Sequence, residues 1–175
     1  MIVVIRGLPG VGKTAVAKDL AALIKGSVVL SSDKIRKELI TKPTYRKQER
    51  KLIYDVLLLV AKYLHNAKID CILDATFNRD SFRKDLKEKL SLAQDQVFIV
   101  ECICQEDIVL SRLKNRRNNY SDADSSIYNK IKRIYEPVKG QHIVVNTSQQ
   151  SSKEIARAIA DKILSRRRDN RKHSK

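Results

Sequence analysis

Apolar positions along the chain follow two different spacings in turn. Five short runs are apolar at nearly every position, which is typical of strands buried on both faces of a parallel sheet. Between these runs, apolar residues recur at every third or fourth position, which predicts helices with one buried face. The predicted strands cover residues 2–5, 28–30, 71–73, 97–104 and 142–145. This alternation favours one α/β domain with a five-stranded parallel sheet and helices on both of its faces.

Capping residues and helix breakers indicate where the predicted helices begin and end. Ser121, three residues before Asp124, resembles a capping box for a helix that Pro137 ends. Ser151 and Glu154 form a second such pair, at the start of the final amphipathic helix. The other predicted helices are one that stops at Gly26, a short basic one that residues 31–33 cap and that runs through Leu39, and three at about residues 44–67, 80–92 and 106–117.

The most specific motif in the chain follows the first predicted strand. Its sequence, GLPGVGKT, fits the pattern G-x-x-x-x-G-K-[ST] and lies between a strand and a helix, as that pattern requires. The glycines let successive backbone amides point inward around phosphate oxygens, and the helix N-terminus adds a partial positive charge. Lys13 is suited to the β- and γ-phosphates and Thr14 to Mg²⁺. The motif predicts a nucleoside triphosphate site at Gly7, Leu8, Pro9, Gly10, Val11, Gly12, Lys13 and Thr14.

Two large classes of nucleotide-binding protein fit the rest of the sequence poorly. A GTPase needs a base-reading element of the N/T-K-x-D type, and residues 115–124 do not supply one. A motor ATPase needs more chain than these 175 residues and an acidic pair after the third strand, where a single carboxylate, Asp74, stands. We therefore favour a phosphotransferase that passes phosphate from ATP to a bound acceptor.

Charged residues follow the second and third predicted strands. Carboxyl ends of neighbouring parallel strands open onto one crevice, so Asp33 should face the phosphates and accept the proton of an acceptor hydroxyl. Arg36, one helical turn later, is a candidate for binding an acceptor phosphate. Asp74 is expected to reach Mg²⁺ through water or to position the acceptor. Two arginines close behind it, Arg79 and Arg83, are further candidates for acceptor binding.

A second group of arginines lies at the end of the predicted helix 106–117. Arg112 and Arg116 are four residues apart and would share one helix face. A polar stretch follows, so we expect a short helical lid over about residues 112–125, whose arginines neutralise charge on the transferring phosphoryl group. A solvent-exposed basic helix face is the alternative interpretation.

Four segments together resemble a known group of enzymes. GLPGVGKT, LSSDKIRKEL, ILDATFNRDSFR and SRLKNRRN are similar to the P-loop kinase domain of polynucleotide 5′-hydroxyl kinases, and also to archaeal seryl-tRNA(Sec) kinases, zeta-toxin-like kinases and AAA-domain ATPases. The resemblance extends over roughly residues 1–165 and implies a three-layer P-loop NTPase fold. It implies that Lys13 and Thr14 bind ATP and Mg²⁺, that Asp33 is the general base, that Arg36 binds an acceptor phosphate, and that Arg116 is a lid arginine on ATP.

Charge is concentrated in parts of the sequence. The formal net charge is +16, and residues 34–51, 110–135 and 151–175 carry net charges of +6, +5 and +6. Such clustering indicates a polyanionic partner. The basic tail, residues 166–175, is expected to be disordered and to lie outside the kinase domain of residues 1–165.

Three functions remain open on the sequence alone. The first is an ATP-dependent kinase acting on a hydroxyl of a nucleic acid, with RNA or tRNA favoured by the basic segments. The second is the same chemistry on a small metabolite, and the third is an RNA-associated ATPase without a phosphoryl acceptor. Aromatic residues make up 5% of the chain and Trp is absent, which disfavours a stacking platform for single strands but leaves tRNA-like shapes open.

Cysteine usage and hydropathy bear on the compartment. Cys71, Cys102 and Cys104 are odd in number and lack metal-ligand spacing, so buried, reduced thiols and a cytoplasmic protein are expected. The longest apolar run, residues 56–61, is far shorter than the roughly 20 residues of a membrane span.

Overall fold

The computed structural model describes residues 1–90, 96–115 and 123–173, without the side chains of Arg83, Lys87 and residues 167–173. It contains five strands and seven helices within these ranges. In chain order they are β1 (Ile2–Arg6), α1 (Lys13–Leu23), β2 (Val28–Ser31), α2 (Ser32–Leu39), α3 (Lys47–Asn66), β3 (Cys71–Asp74), α4 (Asp80–Leu90), β4 (Val97–Ile103), α5 (Glu106–Lys114), α6 (Ser125–Lys132), β5 (Ile143–Asn146) and α7 (Ser152–His173).

The five strands form one parallel sheet in the order β2-β3-β1-β4-β5. The predicted α/β fold with a five-stranded parallel sheet is confirmed. After β1, the chain forms β2 and β3 on one side of β1, and it later forms β4 and β5 on the other side of β1. Such a reversal of strand order opens a crevice at the carboxyl ends of the central strands, which is where ligands bind in folds of this type.

The sheet is covered on both faces by apolar clusters. Successive β1 side chains alternate between them, so that Val3 and Ile5 lie in one cluster and Ile2 and Val4 in the other. The first cluster includes buried residues of α1 and α7, and the second includes buried residues of α3 and α4. Because every β1 residue is buried, the loop that follows β1 starts from a fixed position.

Two of the predicted helix starts have different outcomes. Ser151 and Glu154 form the predicted capping box: the Ser151 amide donates to Glu154 Oε2 over 2.8 Å, and the Glu154 amide donates to Ser151 Oγ over 3.3 Å. The prediction for α6 is wrong. Asp124 is its N-cap, since Asp124 Oδ1 accepts from the Ile127 amide over 2.8 Å, whereas Ser121 lies outside the described residues.

Two other boundaries also differ from the prediction. α5 ends at Lys114, not at residue 117, so the predicted lid of residues 112–125 is described only at its two ends. The backbone of α7 continues to His173, whereas a disordered tail was predicted from residue 166. Lys and Arg have favourable helix propensity, which allows a charged extension to continue a helix that packs well earlier along its length.

Cysteine burial follows the prediction only in part. Cys71 and Cys102 are buried free thiols, and burial raises the pKa of the Cys102 thiol to about 12. Cys104 is only partly buried, because it lies one residue beyond the end of β4. In the described part of the chain, no helix is both long enough and apolar enough to cross a bilayer.

Candidate phosphotransfer site

The loop between β1 and α1 has the backbone geometry of a phosphate cradle. Gly7, Gly10 and Gly12 have φ angles of 146°, 82° and 91°, which side-chain-bearing residues rarely adopt. Lys13 lies at the first position of α1, and its Nζ donates to the Leu8 carbonyl oxygen over 2.9 Å. The ammonium group is therefore held across the loop, at the side where a triphosphate would lie.

Thr14 and Asp74 join the loop to the end of β3. Thr14 Oγ1 donates to Asp74 Oδ2 over 2.7 Å, and Asp74 is 4% exposed. Burial raises the pKa of the Asp74 carboxyl, and nearby Asp33 adds to this, while Lys13 and the hydroxyls of Thr14 and Ser31 act in the opposite direction. The Asp74 carboxyl is therefore buried, hydrogen-bonded to a hydroxyl and close to the positive charge of Lys13.

The donor set of this pair fits Mg²⁺. Mg²⁺ prefers hard oxygen ligands, takes one or two of them from the protein and keeps waters or substrate phosphates for the rest. Thr14 and Asp74 present a hydroxyl and a carboxylate at hydrogen-bonding distance from each other, next to the phosphate loop. Among the described residues, no group of three or more His, Cys, Asp or Glu side chains could hold a metal ion.

Asp33 lies close to Asp74 because their strands are neighbours. Ser31, at the end of β2, is paired in register with Asp74, and Asp33 follows two residues later at the start of α2. Its side chain is 37% exposed, in contrast to buried Asp74. The two carboxylates thus differ in access to solvent, although both side chains line the same cleft.

Arg36 is bound by the protein itself. Its Nε donates to Glu49 Oε1 over 2.9 Å, its Nη1 lies 3.2 Å from Asp33 Oδ1, and its guanidinium carbon lies 4.7 Å from the centre of the Tyr45 ring. The Arg36 side chain is 7% exposed. Arg36 nevertheless borders the cleft that lies beside the phosphate loop, so it contributes a positive charge next to Asp33.

Three further arginines with predicted roles differ in how much of them the structure describes. Arg79 is exposed and borders the cleft just beyond β3. The side chain of Arg83 is outside the described part of the structure, although its backbone belongs to α4. Arg116 also lies outside the described residues, and its predicted role on the lid remains a prediction.

Arg112 connects α5 to the loop after β5. Its Nη2 donates to the Thr147 carbonyl oxygen over 2.9 Å, and its Nη1 donates to Thr147 Oγ1 over 3.1 Å. Thr147 Oγ1 in turn donates to the Val11 carbonyl oxygen of the phosphate loop over 2.7 Å. Arg112 and Thr147 therefore brace this loop from the side opposite Asp33.

One cleft, of about 1320 Å³, brings predicted site residues together. It is bordered by the phosphate loop and by Asp33, Arg36, Asp74, Arg79, Arg112 and Thr147. The phosphate loop forms its middle. One half, the nucleotide half, is bordered by Arg112, Thr147 and Ser151. The other half, here called the acceptor half, is bordered by acidic and neutral polar residues, among them Asp33 and Asp85, and by a group of aromatic and basic residues. That group comprises Tyr45, Lys47, Arg50, Lys51, Tyr54, Arg79 and Phe82.

Sequence reasoning missed several residues of this cleft, among them Thr147 and Tyr45, and it also missed Glu49, which binds Arg36. Thr147 follows a strand end, the same signal that identified Asp33 and Asp74, and could have been found in that way. Tyr45 and Glu49 had no comparable signal, because their contacts with Arg36 join elements that only the folded chain brings together.

Comparison with known proteins agrees with this geometry. A family model described as an AAA domain matches residues 2–138, which is most of the chain. The chain belongs to this AAA domain family. None of the curated proteins matches the sequence.

Several solved structures share the fold of this AAA domain protein at low sequence identity. A sugar kinase from Janibacter sp. HTCC2649 has a TM-score of 0.71 at 15% identity, over 90% of this chain and 91% of that one. The APS kinase CysC of Mycobacterium tuberculosis, in complex with AMPPNP and APS, has a TM-score of 0.70 at 20% identity, over 94% and 96%. A gluconokinase from Sinorhizobium meliloti 1021 has a TM-score of 0.66 at 21% identity, over 98% and 95%. These likenesses establish a shared P-loop fold.

Proposed function

We propose that this protein is an ATP-dependent phosphotransferase that moves the γ-phosphate of ATP to a hydroxyl group of an acceptor. The observation that carries the proposal is the arrangement of two carboxylates around one phosphate loop. Asp74 is buried and hydrogen-bonded to Thr14, whereas Asp33 is open to the acceptor half of the cleft. Two carboxylates with different environments are suited to two different roles.

In this proposal Lys13 and the amides of the phosphate loop bind the triphosphate. Thr14 and Asp74 would hold Mg²⁺, which would supply positive charge to the bound triphosphate. Asp33 orients the acceptor hydroxyl and accepts its proton as the new bond from oxygen to phosphorus forms. The bond between the γ-phosphorus and its bridging oxygen breaks, and ADP leaves with that oxygen. Arg116 is proposed to neutralise charge on the transferring group from the lid.

For the acceptor we propose a nucleic acid, with RNA or tRNA preferred. The acceptor half of the cleft carries the cations Lys47, Arg50, Lys51 and Arg79, together with Arg36 beside Asp33. Cations in this number suit an acceptor that brings phosphates of its own. Arg36, Arg79 and Arg83 are the proposed acceptor-binding residues, and the resemblance to polynucleotide kinases implies a phosphate-binding role for Arg36.

A small anionic metabolite is the second candidate acceptor. The chain shares its fold with proteins named sugar kinase, APS kinase and gluconokinase, whose names point to small acceptors. The same cations would then bind the anionic group of one compact molecule. Salt separates the two cases, because binding of a polyanion weakens steeply with ionic strength through counterion release.

The substitution Asp33→Asn tests the chemical assignment. It keeps the size of the side chain but removes its ability to accept a proton, so transfer should fall by about 10²-fold or more while the dissociation constant for ATP stays unchanged. Asp19→Asn is the matched control, because Asp19 belongs to α1 but does not border the cleft. Loss of ATP binding together with transfer would show that Asp33 serves the nucleotide site and is not the base.

A further inference from the structure

Two large residues beside the acceptor half have backbone conformations that favour glycine. Tyr45, just before α3, has a φ of 56°, and Phe77, between β3 and α4, has a φ of 42°. Positive φ at a bulky residue is costly and persists only where surrounding contacts enforce it. Tyr45 borders the cleft directly, and Phe77 lies between Thr76 and Asn78, which border it.

Side chains of one helix, α3, bind the amides of both residues. Glu49 Oε2 accepts from the Tyr45 amide over 3.0 Å and from the Thr44 amide and hydroxyl over 2.5 and 2.8 Å. Tyr54 Oη accepts from the Phe77 amide over 2.9 Å. These bonds satisfy the backbone groups that the unusual conformations turn away from their neighbours.

The other carboxylate oxygen of Glu49 binds Arg36, the residue predicted to bind an acceptor phosphate. Glu49 Oε1 accepts from Arg36 Nε over 2.9 Å, and Arg36 Nη1 faces Asp33 at 3.2 Å. The Tyr45 ring packs over the same guanidinium group. One carboxylate, 8% exposed, thereby fixes both the cation beside Asp33 and the aromatic ring that covers it.

Burial and hydrogen bonding have opposite effects on this carboxylate. Burial raises the pKa of the Glu49 carboxyl, but hydrogen bonds from Thr44, Tyr45 and Arg36 lower it by more, so the pKa lies below its ordinary value. Glu49 is accordingly ionised near neutral pH, where charge-assisted hydrogen bonds are about twice as strong as neutral ones.

We propose that Glu49 and Tyr54 of α3 are positioning residues for the acceptor: they hold the segments of residues 44–46 and 76–79, and Arg36, in the arrangement that receives the acceptor next to Asp33. Neither residue takes part in proton transfer. This inference rests on the proposed function, since it presupposes that the half of the cleft beside Asp33 receives an acceptor. It predicts that the two side chains govern acceptor binding and leave nucleotide binding alone.

The test uses Glu49→Gln and Tyr54→Phe, with Glu38→Gln on α2 and Tyr63→Phe on α3 as matched controls. Both control side chains are exposed, and Tyr63 is 69% exposed. With a 5′-hydroxyl RNA oligonucleotide as the probe, Glu49→Gln should raise the acceptor KM by about 10-fold or more, while kcat at saturating RNA changes less than about 3-fold and the dissociation constant for ATP is unchanged. An unchanged acceptor KM, or an equal rise in the ATP constant, would overturn the inference.

Amide hydrogen exchange provides a second readout that needs no acceptor. Glu49→Gln should speed exchange at residues 44–46, and Tyr54→Phe at residues 76–79, each by about 10-fold or more, with the phosphate loop unaffected. If the native protein does not phosphorylate the oligonucleotide, this 5′-hydroxyl end is not its acceptor, and the exchange data decide whether the two side chains hold these segments. Unchanged exchange in both variants contradicts that role, and if one variant does not fold, the other is sufficient for the test.

Discussion

The hydroxyl of Thr14 donates to Asp74 over 2.7 Å and so joins the first turn of α1 to the end of β3. The two residues are 60 positions apart and meet because β1 and β3 are neighbours in the parallel sheet. In the proposed function, Asp74 therefore serves the nucleotide. Asp33, two residues beyond the register partner of Asp74, is then the carboxylate that serves the acceptor.

Gly7→Ala should destabilise the fold by packing as well as by backbone conformation. A Cβ at Gly7 would lie 2.5 Å from the Cys102 carbonyl oxygen, and φ there is 146°. Gly26→Ala is the control, because φ is 77° but a Cβ would meet nothing within 4 Å. The free energy of unfolding, measured by thermal denaturation, should fall by about 1 kcal/mol in Gly26→Ala and by about 2–4 kcal/mol in Gly7→Ala. Equal losses would mean that β4 moves aside without cost.

Arg112→Ala should weaken nucleotide binding without abolishing it. The change removes the hydrogen bonds to Thr147 that brace the loop after β5 against the phosphate loop. We expect the dissociation constant for ADP, measured by calorimetry, to rise about 10-fold. Lys114→Ala, in the same helical turn but not bordering the cleft, should leave it unchanged. An unaltered affinity in Arg112→Ala would assign this arginine to folding alone.

Much of the fold was predictable because short-range patterns determine it. Strands buried on both faces read as apolar runs, and the phosphate loop needs glycine at positions of positive φ, so β1 and the loop after it were recognisable. The rule that parallel strands end at one edge placed Asp33 and Asp74 together.

The contact of Arg36 with Glu49 could not be predicted in this way. Arg36 and Glu49 are 13 residues apart and belong to different helices, and no periodicity relates them. The start of α6 illustrates a second limit. Ser121 and Asp124 are both good capping residues, and the choice of Asp124 depends on how α6 packs, which the local sequence does not contain.

Removing residues 167–175 should weaken RNA binding and flatten its dependence on salt. Arg166 is retained because its guanidinium lies 5.7 Å from the centre of the Phe98 ring. The deletion removes the five cations Arg167, Arg168, Arg171, Lys172 and Lys175 and the acid Asp169. Each lost phosphate contact should reduce the slope of log affinity against log salt by up to about 0.9 on a duplex, with ATP affinity unchanged. Identical slopes would exclude the tail from the binding surface.

The central claim is that the γ-phosphate of ATP reaches a hydroxyl of a nucleic acid. In the most direct measurement, the protein is incubated with Mg²⁺ and ATP labelled at the γ-phosphate. Total RNA is added to one reaction and a metabolite extract to a parallel one. Lys13→Ala, which lacks the cation of the phosphate loop, is the inactive control and Lys18→Ala the active one. We predict that the native protein transfers label to RNA and that Lys13→Ala does not. Label in the metabolite extract alone would establish a small acceptor instead, and release of only free phosphate in both would contradict the claim that this protein is a phosphotransferase.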